Sequence, residues 1–173
     1  MRSLNRFLAA AAVPIALVAT VGAAGCGPEV DLAKSAQIVD VQSGYYDMGI
    51  IDGKTKIVPQ AIVHIKNVGA TTLPGFQISA SYWRAGDDGM SDEMIHPDLV
   101  ARDLAPGATS DAIVLRGNVG YTLDVPRAEA FQNSVFRDFT IKIFGKVSGR
   151  MAKLGELNVE QKIVPKDATV PTK

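Results

Sequence analysis

Apolar and polar residues alternate along several short stretches of this chain, and this alternation limits the possible folds more than any other feature. The clearest stretch is 57–66, where Ala61, Val63 and Ile65 fall on one side of an extended strand. Successive side chains of a strand point to opposite faces, so a period of two indicates a strand with a buried face. Ile62 falls on the other side, as expected for a strand in the middle of a sheet.

Seven such segments with turn residues between them predict an all-β fold, an antiparallel β-sandwich of about seven strands. Val and Ile are abundant, and their branched side chains suit pleated, half-buried surfaces. The alternation places Phe76, Ile78, Ile141 and Ile143 in the core. The predicted strands are 37–45, 57–66, 76–84, 95–101, 112–116, 136–147 and 155–164.

One segment, 124–133, breaks the alternation and predicts a short helix or helical turn across one end of the sandwich. Asp124 is a suitable N-cap, Pro126 suits the first turn, and Ala128 and Phe131 have near-helical spacing. We expect Phe131 to close the core at that end.

The N-terminus has the three parts of an export signal. Arg2 and Arg6 are followed by an uncharged apolar run over 7–21, which is shorter than a membrane span and contains Pro14. Small residues then lead to Gly25 and Cys26. This resembles a bacterial lipoprotein signal, in which Cys26 receives a diacylglycerol and becomes the new N-terminus. A plain cleaved secretory signal is the alternative.

This interpretation divides the chain into a cleaved signal (1–25), a lipidated tether (26–34), a sandwich domain (35–165) and a flexible tail (166–173). Cys26 is the only cysteine, so no internal disulfide can form and thiol chemistry elsewhere is excluded. Gly27 rather than Asp follows it, a pattern that resembles sorting to the outer membrane or cell surface rather than inner-membrane retention. The predicted location is therefore the bacterial cell envelope, with the membrane as a partner through the lipid on Cys26.

The charge of the mature chain gives little indication of a polyanionic partner. Removing the signal leaves 16 basic and 18 acidic residues, a formal charge of −2. No basic cluster is present, so nucleic acid is not an expected partner.

Aromatic residues are the leading candidates for a binding surface. Tyr82 and Trp83 are adjacent in a predicted strand, so one points inward and the other outward. Burial of Trp83 at the centre of the sandwich is the favoured arrangement for that pair. Tyr121 lies in the segment 117–124, which is rich in glycine and predicts a loop that presents an aromatic side chain.

Metal and catalytic sites are not expected. Asp87, Asp88, Asp92 and Glu93 form the densest acidic group, but their spacing does not match a calcium-binding EF-hand loop, and a solvated turn is favoured. The only histidines, His64 and His96, lack a metal-binding spacing. The chain has no nucleophile elbow and no P-loop. We therefore predict no cofactor and no enzymatic activity, although a triad assembled in space is not excluded by sequence.

Four features of the stretch 57–115 resemble bacterial Ig-like accessory domains of the FxLYD and CARDB-like type. They are an Asn-Val-Gly turn at 67–69, the aromatic strand 76–83, the Gly-Asp-Asp-Gly hairpin at 86–89 and the Leu-x-Pro-Gly turn at 104–107. The FxLYD signature itself is absent, since Trp83 rather than Asp follows Tyr82. The resemblance implies an Ig-like fold and an interaction role, without catalytic residues.

These observations favour a lipid-anchored, non-catalytic envelope domain that binds or helps to assemble another envelope protein. The alternative is a module that binds a glycan or a small molecule through an exposed aromatic patch. An enzyme is the third and least favoured class.

Overall fold

The computed structural model of this chain describes residues 30–95, 100 and 102–164, which form two β-sheets packed face to face. The predicted all-β sandwich is therefore confirmed. Within the described residues, the elements in chain order are α1 (Leu32–Ser35), β1 (Ala36–Ile51), β2 (Lys54–Asn67), β3 (Gln77–Arg84), β4 (Asp92–Ile95), β5 (Ile113–Arg116), β6 (Tyr121–Leu123), a 3₁₀ helix (Arg127–Gln132), β7 (Phe139–Val147), β8 (Arg150–Asn158) and β9 (Ile163–Val164).

The first sheet has the strand order β5-β2-β1-β9, and β6 pairs with the other end of the same edge of β2. The second sheet has the order β4-β3-β7-β8. The described pairings are antiparallel except for a short parallel one between β1 and β9.

Strands β1 and β2 form a long hairpin that the sequence predicted only in part. The expected strand 37–45 extends to Ile51, and the chain then turns through Asp52 and Gly53. These two residues have φ values of 51° and 77°. A two-residue turn with positive φ at both positions matches the right-handed twist of the flanking strands, which explains the Asp-Gly sequence there.

The core lies between the sheets and includes the residues that alternation selected. Phe76 is 1% exposed, and Ile78, Ile141 and Ile143 are fully buried. The register pairs Tyr82 with Ile141 across β3 and β7, so both belong to the inward face of the second sheet. The predicted core is confirmed at these positions.

Two predicted strands differ from those observed. The segment 155–164 is not one strand, since β8 ends at Asn158 in the second sheet and β9 begins at Ile163 in the first. The predicted strand 95–101 is replaced by β4, which begins at Asp92, and by an isolated bridge between Val100 and Phe76. The rest of that predicted strand lies outside the described residues.

The helical segment at one end of the sandwich is present but shorter than predicted. It is a 3₁₀ helix that starts after Pro126, and Asp124 does not cap it. The Asp124 carboxylate instead pairs with Lys54 Nζ at 3.0 Å, at the end of the β1–β2 hairpin. Phe131 packs against the core as expected, with its ring centroid 5.4 Å from that of Tyr45.

Two residues that the sequence assigned to the tether take part in the described fold. Asp31 caps α1 by accepting a hydrogen bond from the Ala33 backbone N–H at 3.1 Å, and Leu32 is only 3% exposed. Leu32 therefore belongs to the core, although the predicted division places it in the tether 26–34. Residues 1–29, which include Cys26 and the signal, and the tail 166–173 lie outside the described residues.

Candidate functional site

The Tyr82–Trp83 pair points in the directions opposite to those favoured by sequence. Tyr82 is fully buried, whereas Trp83 is half-buried on the outer face of the second sheet. The cause is the register with β7, which pairs Tyr82 with inward Ile141 and Trp83 with outward Thr140. The prediction of Tyr82 as a surface residue is therefore wrong, as is the placement of Trp83 in the core.

Tyr121 is not the exposed loop residue that the sequence predicted. It lies on β6, is 5% exposed, and its hydroxyl both donates to the Arg137 carbonyl at 2.7 Å and accepts from the Arg137 N–H at 2.8 Å. Gly120 permits this arrangement because its backbone lies directly against Ile57 and Val58 of β2. The glycine is required by close packing of β6, not by loop flexibility.

Tyr121 belongs to a group of five aromatic rings that fills the end of the core beneath the 3₁₀ helix. Its ring centroid lies 4.9 Å from that of Phe136 and 5.9 Å from that of Phe139. Tyr45 contacts Phe131, Phe136 and Phe139 in the same group. Burial raises the pKa of the Tyr45, Tyr82 and Tyr121 phenols, so all three stay protonated at neutral pH.

The outward side chains of β3 and β7 form a surface that we call the Trp83 face, made up of Trp83, Thr140, Lys142 and Phe144. Lys142 Nζ lies 3.8 Å from the centroid of the Trp83 ring, a cation–π contact. The Trp83 Nε1–H donates to Ser81 Oγ at 3.0 Å. The four side chains of the Trp83 face remain partly exposed. The Trp83 ring is thus held in a fixed position on an accessible surface.

The outer face of the first sheet carries a similar contact, and we call its outward residues Tyr46, Val58, Gln60, Ile62 and Arg116 the Tyr46 face. The Arg116 guanidinium lies 3.4 Å from the centroid of the Tyr46 ring, and its Nε–H donates to Gln60 Oε1 at 2.6 Å. Val58, Gln60 and Ile62 are nevertheless 0%, 2% and 2% exposed. This face therefore offers less accessible surface than the Trp83 face.

Two of the four acidic residues considered for calcium, Asp87 and Asp92, are engaged in contacts of the fold. Asp87 pairs with Arg84 at 2.9 Å and accepts a hydrogen bond from Ser91, and the bond from Arg84 lowers the pKa of the Asp87 carboxyl. Asp92 accepts hydrogen bonds from the backbone N–H groups of Asn118 and Val119 at 2.5 and 3.1 Å. Across residues 30–95, 100 and 102–164, no group of three or more His, Cys, Asp or Glu residues is arranged to hold a metal ion.

His64 is a half-buried residue of β2. Its Nδ1 lies 2.9 Å from the Ser110 carbonyl oxygen, so Nδ1 carries the proton and the ring helps to hold β2 against the segment before β5. His96 lies outside the described residues.

No helix in the described ranges is long and apolar enough to cross a membrane.

Comparison with known proteins finds solved structures of low sequence identity and low structural similarity. No protein-family model and no curated protein match the chain. A protein described as ApaA from Bordetella pertussis is 16% identical, with a TM-score of 0.42, 75% of this chain covered and 97% of that one. A protein from Archaeoglobus fulgidus is 10% identical, with a TM-score of 0.40 and coverage of 74% and 100%. A protein from Arabidopsis thaliana is 14% identical, with a TM-score of 0.38 and coverage of 78% and 85%.

Sequence reasoning missed both cation–aromatic contacts. The outward positions of Lys142 and Phe144 follow from alternation in 136–147, but the partner of Lys142 depends on the register between β3 and β7. Arg116 similarly reaches Tyr46 only because β5 pairs with β2 at Gln60. Neither register leaves a local signal in the sequence.

Proposed function

We propose that this chain is a lipid-anchored, non-catalytic domain of the bacterial cell envelope that binds a partner protein through the Trp83 face. The observation that carries the proposal is the outward placement of Trp83 beneath Lys142, while the other candidate aromatics, Tyr82 and Tyr121, are buried. The anchor is the lipid that the signal-like N-terminus would place on Cys26.

The choice between the two outer faces is based on accessibility. Trp and other aromatic side chains, together with a nearby cation, are typical of residues that contribute most to binding. On the Tyr46 face, the residues around the ring are already buried and Arg116 is bonded to Gln60. On the Trp83 face, the aromatic rings and Lys142 retain surface that a partner can cover.

The kind of partner follows from the position of Lys142. A sugar stacks on an open face of an aromatic ring, and Lys142 already lies over one face of Trp83. A protein surface with a carboxylate near Lys142 could pair with the ammonium group and pack against Trp83 and Phe144 at the same time. The arrangement therefore favours a protein partner over the glycan alternative.

The proposal is tested by comparing two outward aromatics that each lie beneath a cation. Trp83→Ala should weaken partner capture from envelope extracts by about thirtyfold, the loss expected when a residue contributing about 2 kcal/mol to binding is removed. Tyr46→Ala is the matched control on the opposite sheet and should leave capture unchanged. Both variants should keep the far-ultraviolet circular dichroism of the wild type. Weaker capture with Tyr46→Ala and normal capture with Trp83→Ala would place the partner contact on the Tyr46 face and contradict the proposal.

A further inference from the structure

The end of the sandwich at which the described chain begins has an apolar groove with basic residues around it. The groove has a volume of about 410 Å³ and lies between α1 and the turn that joins β7 to β8. We infer that this end, which we call the tether end, rests against the bilayer surface in which the lipid on Cys26 is inserted. The inference rests on the proposed anchoring and adds the orientation of the domain.

Five of the seven residues that line the groove are apolar. Val30, Leu32, Val147, Met151 and Ala152 contribute to the lining. Met151 is 62% exposed although it is a large apolar side chain. Apolar side chains at a turn can enter the boundary between headgroups and acyl chains when a bilayer is adjacent.

Basic side chains lie around the groove. Lys34, Lys146 and Arg150 are exposed at this end, and Asp31, the acidic residue in the groove wall, pairs with Lys34 at 2.9 Å. Lys153 lies further along β8 and pairs with Glu156. Basic residues next to an apolar contact favour a surface that carries anionic headgroups.

The length of the chain brings this surface to the membrane. Three residues lie between Cys26 and Val30, so four Cα–Cα steps place the attachment point of the lipid no more than about 14 Å from the wall of the groove along an extended chain. The opposite end of the sandwich, where β7 begins at Phe139, lies about 26 Å further away. A lipid inserted at Cys26 therefore holds the tether end, and not the opposite end, close to the headgroups.

Three exposed methionines allow this orientation to be measured within one molecule. Met151 lies at the tether end, whereas Met48 and Met90 lie at the opposite end, and they are 62%, 42% and 47% exposed. Lipidated protein on vesicles of phosphatidylcholine and phosphatidylglycerol is treated with chloramine-T, a charged oxidant, and sulfoxide formation is followed by peptide mass spectrometry. The reference is the Cys26→Ala chain in solution, which has no acceptor for the lipid.

We expect the oxidation rate of Met151 relative to Met90 to fall about fivefold on the vesicles, with the ratio of Met48 to Met90 unchanged. In the double variant Lys146→Glu with Arg150→Glu, the oxidation rate of Met151 relative to Met90 on vesicles should rise again by at least about half of that decrease, while the protein remains lipidated. The matched control is Lys54→Glu with Lys56→Glu, at the opposite end. It should leave the Met151 to Met90 ratio on vesicles as low as in the wild type.

Two results would overturn the inference. One is the same Met151 to Met90 ratio on vesicles and in solution. The other is slow oxidation of Met151 both on vesicles and in solution, because the chain itself would then fill the groove. The mass of the vesicle-bound protein is measured separately, so an absent lipid, which would refute the proposed anchoring, is distinguished from a lipidated domain with another orientation.

Discussion

Two tyrosines in the same aromatic group use their hydroxyls in different ways. The Tyr121 hydroxyl makes two hydrogen bonds to the backbone of Arg137. The Tyr45 hydroxyl is buried and makes no hydrogen bond within the described residues. Burial raises the pKa of the Tyr45 phenol, and the Phe139 backbone offsets part of that rise.

This difference predicts opposite effects for the same chemical change. Tyr121→Phe should lower the free energy of unfolding by about 1–3 kcal/mol, because it removes two part-buried hydrogen bonds to the Arg137 backbone, each contributing about 0.5–1.5 kcal/mol. Tyr45→Phe removes a hydroxyl that has no partner and should change the free energy of unfolding by between zero and about 1 kcal/mol in the stabilising direction. Urea unfolding monitored by circular dichroism measures both values. A larger loss for Tyr45→Phe than for Tyr121→Phe would mean that Tyr45 has a hydrogen-bond partner.

At the same scale, sequence could establish that one of Tyr82 and Trp83 points outward but not which one. That choice depends on whether Trp83 pairs with Thr140 or with Ile141 across β7, and a register shift of one residue would reverse it. The larger side chain was expected in the core, yet the fully buried ring at this position is Tyr82. Packing of the whole sandwich, rather than side-chain size, decided the direction.

At the scale of elements, β6 is a strand that depends on close packing against β2 and that alternation in the sequence does not reveal. It has only three residues, too few for alternation to be recognised, and its neighbours Gly117, Asn118 and Gly120 predicted a loop. A Cβ atom built on Gly120 would lie 2.1 Å from the Ile57 carbonyl oxygen and 2.7 Å from the Val58 Cα. The glycine therefore allows β6 to approach β2.

A methyl group at this position should separate the two strands. Gly120→Ala is expected to lower the free energy of unfolding by about 2 kcal/mol or more, because backbone atoms must move to make room. Gly89→Ala is the matched control, since nothing lies within 4 Å of its added Cβ, and its effect should stay within about 0.5 kcal/mol. Thermal unfolding of the two variants tests the account, and similar melting temperatures would show that β6 is not held at the observed distance.

Alternation could not predict that 155–164 is divided between two strands. Leu157, Val159 and Ile163 fall on one side of a continuous period-two pattern, although the chain crosses from one sheet to the other after Asn158. The crossing is stabilised by long-range contacts: Ser43 Oγ accepts a hydrogen bond from the Glu160 N–H, and the Lys162 carbonyl accepts one from the Tyr45 N–H. These contacts join residues that are far apart in the chain, so the local sequence does not indicate them. Long alternating segments such as 57–66 and 136–147 could be predicted because their buried faces are continuous.

At the scale of the whole molecule, the two proposals describe one orientation. The tether end carries the groove, and Trp83 lies toward the opposite end, beside Thr140 near the start of β7. With the tether end at the bilayer, the Trp83 face would stand away from the headgroups and remain open to a second envelope protein. Both proposals depend on the lipid at Cys26.

The most direct measurement is therefore the mass of the N-terminal peptide of the mature protein, isolated from bacterial envelopes. We predict a peptide that begins at Cys26 and carries a diacylglycerol on its sulfur, and we predict that Cys26→Ala protein leaves the envelope fraction in high salt. A mature chain that begins elsewhere, or an unmodified Cys26 in protein that still sediments with envelopes, would contradict the anchoring on which the account rests.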